Sequence, residues 1–259
     1  MGEFFIDSDG IAIHAKLEMP KGVSERCPLA IVQHGLTGHM EETHIVAVAE
    51  AIRAVGIATL RVEMYGHGKS GGSFERHTLL KWVDNMLDVI DYAKGLDWVS
   101  DLYLCGHSQG GLLAMLVAAL RPYDLRAIIP MSPAIVIVDS ALKGSMFGMS
   151  FDPKRIPDYV CMPDPGLAEE GTKRPSFSGD YFRIAQHIHV DEAIAGYEGP
   201  VLLVHGTADE GVPAQDSIDA AKGYANARLV LIEGDDHCYH SHLDQVCVAV
   251  QDFLSSLQA

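Results

Sequence analysis

Short runs in which nearly every residue is apolar recur along the chain at 29–33, 57–62, 102–105, 127–131, 201–205 and 228–232. A strand with one face in water alternates apolar and polar residues, so unbroken apolar runs predict strands covered on both faces, as in parallel sheets. Between these runs, apolar residues return at helical spacing over about 45–55, 78–94, 109–120, 215–222 and 243–257. Gly56 stands where the first of these helices needs a C-cap. Ahead of them, segments 3–6 and 11–17 read as an antiparallel hairpin joined by Asp7-Ser8-Asp9-Gly10. Strands that alternate with helices of this length predict βαβ units, hence an α/β fold with a mainly parallel central sheet flanked by helices.

Residues 133–188 break the rhythm. They hold six of the twelve prolines, scattered apolar residues such as Met146, Phe147, Met149, Phe151 and Met162, and no clean strand. A structureless loop of that length is improbable inside a compact domain. The segment is therefore expected to be an inserted lid subdomain after the sixth strand, packed over the carboxyl edge of the sheet. The division that follows is a core of 1–132 and 189–259 with a lid of 133–188. A chain of 259 residues can bury one large core without disulfide or metal support.

Charge and cysteine use narrow the partners. A formal net charge of −16 argues against nucleic acid and anionic membrane surfaces. Cys27, Cys105, Cys161, Cys238 and Cys247 form no CxxC pair, which fits free thiols in a reducing compartment. The N-terminus has early acid in place of a basic, then apolar, leader, and no apolar run reaches membrane-spanning length. A cytoplasmic location is expected.

The chemistry centres on Gly106-His107-Ser108-Gln109-Gly110, which joins an apolar strand directly to a helix. This is the G-x-S-x-G pattern of a nucleophile elbow, where small residues let the corner close and the backbone holds the serine clear of the sheet. A nucleophilic serine needs a base, and the base needs an acid to fix its tautomer. The strand at 201–205 leads to Asp209, and the strand at 228–232 leads to His237. Both lie at carboxyl ends of predicted strands, where open α/β sheets bind ligands. Asp235 and Asp236 are too near His237 in the chain to reach its ring, and Glu210 is the reserve acid. An oxyanion needs backbone donors already aimed at it; the Gln109 N–H and the Leu36 N–H of His34-Gly35-Leu36 are the candidates. Tyr65-Gly66-His67-Gly68-Lys69-Ser70 lacks phosphate-loop spacing and is expected to be a structural turn beside the site. His237, Cys238, His240 and His242 lack recognised zinc spacing, so no metal site is expected there.

The chain resembles the α/β-hydrolases over nearly its whole length, and more narrowly the bacterial cinnamoyl (feruloyl) esterases. The likeness rests on His34-Gly35-Leu36-Thr37-Gly38, Gly106-His107-Ser108-Gln109-Gly110-Gly111, Tyr181-Phe182-Arg183-Ile184-Ala185-Gln186, His205-Gly206-Thr207-Ala208-Asp209 and Glu233-Gly234-Asp235-Asp236-His237-Cys238. The resemblance implies a serine carboxylic ester hydrolase that cleaves hydroxycinnamoyl esters, with Ser108, His237 and Asp209 as triad and no metal or organic cofactor. It further implies an aromatic-sized slot under the lid, with Asp139 binding ring hydroxyls, and a homodimer. Two departures stand out: Leu36 replaces a phenylalanine common in the family, implying a wider or less aromatic acyl pocket, and the acidic stretch 164–175 lengthens the lid. A lipase-like esterase for short-chain or monoacylglycerol esters, a peptidase, and a thioesterase share the same triad logic. A non-catalytic receptor on this fold is the reading from a different class, and such receptors usually lose a triad member that this chain keeps.

Overall fold

The computed structural model describes residues 2–22, 26–162 and 176–258. The chain opens with the hairpin β1 (Glu3–Ser8) and β2 (Ile11–Glu18), turning through Asp9 and Gly10 at φ 49° and 79°. Two consecutive positive φ angles match the right-handed twist of a two-residue hairpin, and Asp-Gly is the pair that tolerates them. There follow β3 (Cys27–Gln33), α1 (Thr43–Ala54), β4 (Ala58–Val62), α2 (Leu79–Lys94), β5 (Val99–His107), α3 (Gln109–Leu120) and β6 (Ala127–Met131). After an insertion that holds two helices and four short strands among the described residues come α6 (Val190–Ala195), β11 (Val201–Gly206), α7 (Ala214–Gly223), β12 (Ala227–Ile232) and α8 (Leu243–Gln258).

Eight strands form one sheet in the order β1-β2-β4-β3-β5-β6-β11-β12. β1, β2 and β4 pair antiparallel; every other neighbouring pair is parallel. The unbroken apolar runs have the predicted cause. Leu29 and Ile31 of β3, Leu102 and Leu104 of β5, and Val201 and Leu203 of β11 bury into one core with α2, α3 and α7. Their alternates Ala30, Val32, Tyr103, Cys105, Leu202 and Val204 bury into a second core under α1 and α8. Each fully buried side chain of this kind contributes about 2 kcal/mol, so the sheet is fixed in register from both faces. A one-residue slip would exchange the two cores.

β4 leaves β3 on one side and β5 joins it on the other, so the crevice at the carboxyl ends of β3 and β5 is a topological switch point. The connection between β6 and β11 carries α4 (Val136–Lys143), the ribbon β7 (Ser145–Met146) with β8 (Met149–Ser150), the ribbon β9 (Tyr159–Cys161) with β10 (Ser176–Ser178), and α5 (Gly179–Ala185). The apolar pattern predicts no clean strand here, and the ribbons differ because two or three residues are too few to show alternation. Ile137, Met146, Met149, Val160, Phe177, Tyr181 and Phe182 make a third apolar cluster that packs on Leu79, Leu112 and Val212 of the core. The acidic piece 164–175 lies outside the described residues. No described helix is long and apolar enough to cross a membrane.

Candidate active site

Ser108 sits between β5 and α3 at φ 57° and ψ −121°. An L-residue seldom adopts this backbone, and holding it there costs about 1–3 kcal/mol. The surrounding glycines make the corner possible. A Cβ on Gly106 would lie 2.1 Å from the Gly110 carbonyl oxygen, and one on Gly110 would lie 2.5 Å from the His34 carbonyl oxygen. The elbow is held further by Ser108 N–H donating to Met131 O at 2.8 Å, and by Ala134 N–H and Leu112 N–H, each donating to Ser108 O at 3.0 Å.

Asp209 and His237 meet although 28 residues separate them: His237 Nδ1 donates to Asp209 Oδ2 at 2.6 Å. The Asp209 side chain is fully buried and saturated with donors. Its Oδ1 accepts from the N–H groups of Gly211 (2.9 Å) and Val212 (2.8 Å), and Oδ2 also accepts from His205 Nε2 at 3.2 Å. Burial alone pushes this carboxyl's pKa upward, but the hydrogen bonds from His205, His237 and the Val212 N–H outweigh it and hold the group below its ordinary range. The acid is thus ionised at neutral pH and keeps the His237 proton on Nδ1, leaving Nε2 as the basic nitrogen. Asp235 and Asp236 serve the loop itself, as their position near His237 implies. Asp235 accepts from the N–H groups of Ser241 and His242, and Asp236 from those of Cys238 and His240.

The loop after β3 lies against the nucleophile. A Cβ on Gly35 would fall 2.8 Å from Ser108 Cβ, so only glycine permits the approach. Among the described residues, neither the Leu36 N–H nor the Gln109 N–H has a hydrogen-bond acceptor. Thr37, next in the loop, donates its N–H to His67 Nε2 at 3.3 Å, and His67 Nδ1 donates to Tyr65 O at 3.0 Å. The 65–72 turn therefore braces the loop. Its own interior is filled by the buried Glu63, whose carboxylate accepts from Lys69 N–H at 2.7 Å, leaving no room there for a phosphate.

Comparison with known proteins places this arrangement. Residues 25–159 match the family model described as serine aminopeptidase, S33, and residues 183–259 match one described as TAP-like protein. The structure of Est1E from Butyrivibrio proteoclasticus with ferulic acid bound superposes at TM-score 0.92 with 48% identity, covering 98% of this chain and 99% of that one. The chain belongs to the α/β-hydrolase family. Palmitoyl-protein thioesterase ABHD10 of Bos taurus is 27% identical over 222 residues, spanning 84% of this chain and 69% of that protein. Monoacylglycerol lipase of Mycolicibacterium smegmatis is 22% identical over 222 residues, spanning 83% of this chain and 70% of that protein.

Several residues support this site in ways that the sequence motifs do not state. His205, the last apolar-run residue of β11, gives Nε2 to Asp209 and Val212 O while its Nδ1 accepts from Ser217 Oγ at 2.7 Å. His107 Nε2 donates to His237 O at 2.8 Å, and its Nδ1 accepts from His44 Nε2 at 3.1 Å. Burial, reinforced by their mutual repulsion, holds the His107 ring neutral; burial and His237 lower His44 to about 4. Tyr181, from the insertion, donates its hydroxyl to the buried Gln109 Oε1 at 2.7 Å. Asp139 is elsewhere: its side chain is 67% exposed on α4 and pairs with Lys143 at 3.1 Å. It is not brought to the triad residues.

Proposed function

We propose that the chain is a serine carboxylic ester hydrolase acting on hydroxycinnamoyl (feruloyl- or caffeoyl-type) esters through an acyl-enzyme. Ser108 Oγ attacks the ester carbonyl while His237 Nε2 takes its proton. Asp209 stabilises the imidazolium, and the N–H groups of Leu36 and Gln109 receive the oxyanion. His237 then protonates the leaving alcohol, and in the second half it activates the water that releases the acid. The observation that carries this reading is the 2.6 Å Asp209–His237 contact, its imidazole packed 4.7 Å from the ring of His107, the residue before an elbow serine held at positive φ.

The acyl preference rests on two supports. Est1E, at 48% identity, is seen with ferulic acid bound. In addition, Leu36 packs half-buried against the apolar cluster of the insertion, so a lid there would give the acyl group apolar and aromatic walls. The exposed, ion-paired Asp139 gives no support to a role in binding ring hydroxyls. A second reading, hydrolysis of aliphatic esters or thioesters, is favoured by the monoacylglycerol lipase and palmitoyl-protein thioesterase among the relatives. Rates on methyl ferulate, methyl caffeate, p-nitrophenyl butyrate, a monoacylglycerol and a palmitoyl thioester decide between them. Highest kcat/KM on the two hydroxycinnamates is expected; a preference for any aliphatic acyl group overturns the first reading in favour of the second.

A further inference from the structure

Three elements distant in sequence bring two imidazoles and a thiol together beside His237. His44 lies in the first turn of α1, His107 ends β5, and Cys238 follows His237 in the loop after β12. One ring nitrogen each of His44 and His107, and Cys238 Sγ, all lie within 4.8 Å of one another. Both histidines are almost fully buried. We propose that His44, His107 and Cys238 form a binding site for a zinc-class divalent cation, separate from the reaction centre and acting on it through Cys238.

Zinc takes imidazole nitrogens at about 2.0–2.1 Å and thiolate at about 2.3 Å, which sets tetrahedral ligand–ligand edges of roughly 3.3–3.6 Å. The His44–His107 edge is already 3.1 Å, so the two nitrogens need only part slightly and the thiol close by about an ångström. Three protein ligands leave the fourth position for water. The surroundings fit a cation in two further ways. A histidine that ligates a metal usually gives its other N–H to a carbonyl or carboxylate, and His107 already does so through Nε2 to His237 O at 2.8 Å. Glu42, Asp236 and Asp209 lie near enough to Cys238 to act on it through space. Three carboxylates there favour a bound dication. On binding, the thiol proton leaves to solvent and His44 moves its proton from Nε2 to Nδ1, so that both imidazoles stay neutral.

The consequence for the enzyme follows from the chain. Drawing Cys238 toward His107 moves the adjacent His237, whose 2.6 Å bond to Asp209 tolerates little displacement. Cation binding therefore slows hydrolysis. This second effect rests on the ester hydrolase reading; the binding itself does not.

Cobalt(II) titrated into the full-length protein tests the site without relying on turnover, because a thiolate ligand adds a near-ultraviolet charge-transfer band. One equivalent of such a band is expected, lost in Cys238→Ser and in His44→Gln, each checked for a native melting transition. In metal-free buffer Cys238→Ser hydrolyses ester at the native rate. Zinc is expected to lower native turnover at least tenfold, reversibly on chelation, and to leave that of Cys238→Ser unchanged. Absence of the band, its survival in Cys238→Ser, or zinc inhibition that persists in that variant overturns the proposal. Should no substrate be turned over at all, the cobalt band still tests the site.

Discussion

Ser108 shows how the site uses conformational strain. Its φ of 57° is held by the elbow's hydrogen bonds and by glycines whose replacement would collide with backbone. Glycine accepts such a backbone, so Ser108→Gly removes both the hydroxyl and most of the strain. The substitution should be inactive and yet raise the melting temperature by about 2–4 °C, the equivalent of about 1 kcal/mol in a chain of this size. An unchanged or lower melting temperature would show that the corner is not strained. Asp209 belongs to the same scale. With four donors on its two oxygens it orients His237 as well as stabilising it, so Asp209→Asn should cost several powers of ten in kcat with little change in KM. Ser108, Asp209 and His237 were legible in the sequence as triad candidates because each stands at the carboxyl end of an apolar run. His205 and His107 were not legible. One reads as a strand end and the other as the variable letter of the elbow, and only the fold reveals what their ring nitrogens touch.

Between elements, the telling contact is Tyr181 of α5 with Gln109 of α3. It ties the insertion to Gln109, whose N–H is proposed to receive the oxyanion. Gln109 Nε2 already has no partner among the described residues. Tyr181→Phe leaves the Oε1 unpartnered as well, a buried loss of about 1–3 kcal/mol. A melting temperature lower by several degrees is therefore expected, with kcat reduced more than KM is raised as the Gln109 donor loosens; calorimetry and steady-state kinetics on the same preparation check both. The strands and helices of the core were largely legible, since a parallel sheet writes itself as continuous apolar runs. The insertion was legible as a break in that rhythm but not in its content. Its ribbons are two or three residues long, and its aromatic cluster (Phe177 with Tyr181 at 5.2 Å and Phe151 with Phe182 at 4.4 Å) is assembled from residues with no periodic spacing.

At the scale of the whole molecule, buried histidines govern the response to pH. His34 and His77 are lowered to about 3 and His44 to about 4, chiefly by burial, and His107 lies well below the ordinary value for the same reason. The unfolded chain protonates these rings near pH 6.5 and the folded chain does not. Stability is therefore fully present above that pH and falls as the pH drops through it. Each ring contributes a slope of up to about 1.4 kcal/mol per pH unit. Asp209, held low, extends the loss below the ordinary carboxylate range. Urea midpoints should decrease steeply from about pH 7 to about pH 5, well before carboxylates titrate; a flat profile would mean that these histidines protonate without unfolding the chain. The count of thirteen histidines was visible in the sequence, but which of them are buried follows only from how α1, β3, β5 and α2 pack.

Every step proposed for this site begins with Ser108 as an acyl-transfer nucleophile. Steady-state hydrolysis of methyl ferulate by native protein and by Ser108→Ala, at matched folded concentration, tests that claim most directly. A fall of several powers of ten in kcat with a cooperative melting transition retained is the predicted result; turnover near the native rate would contradict it.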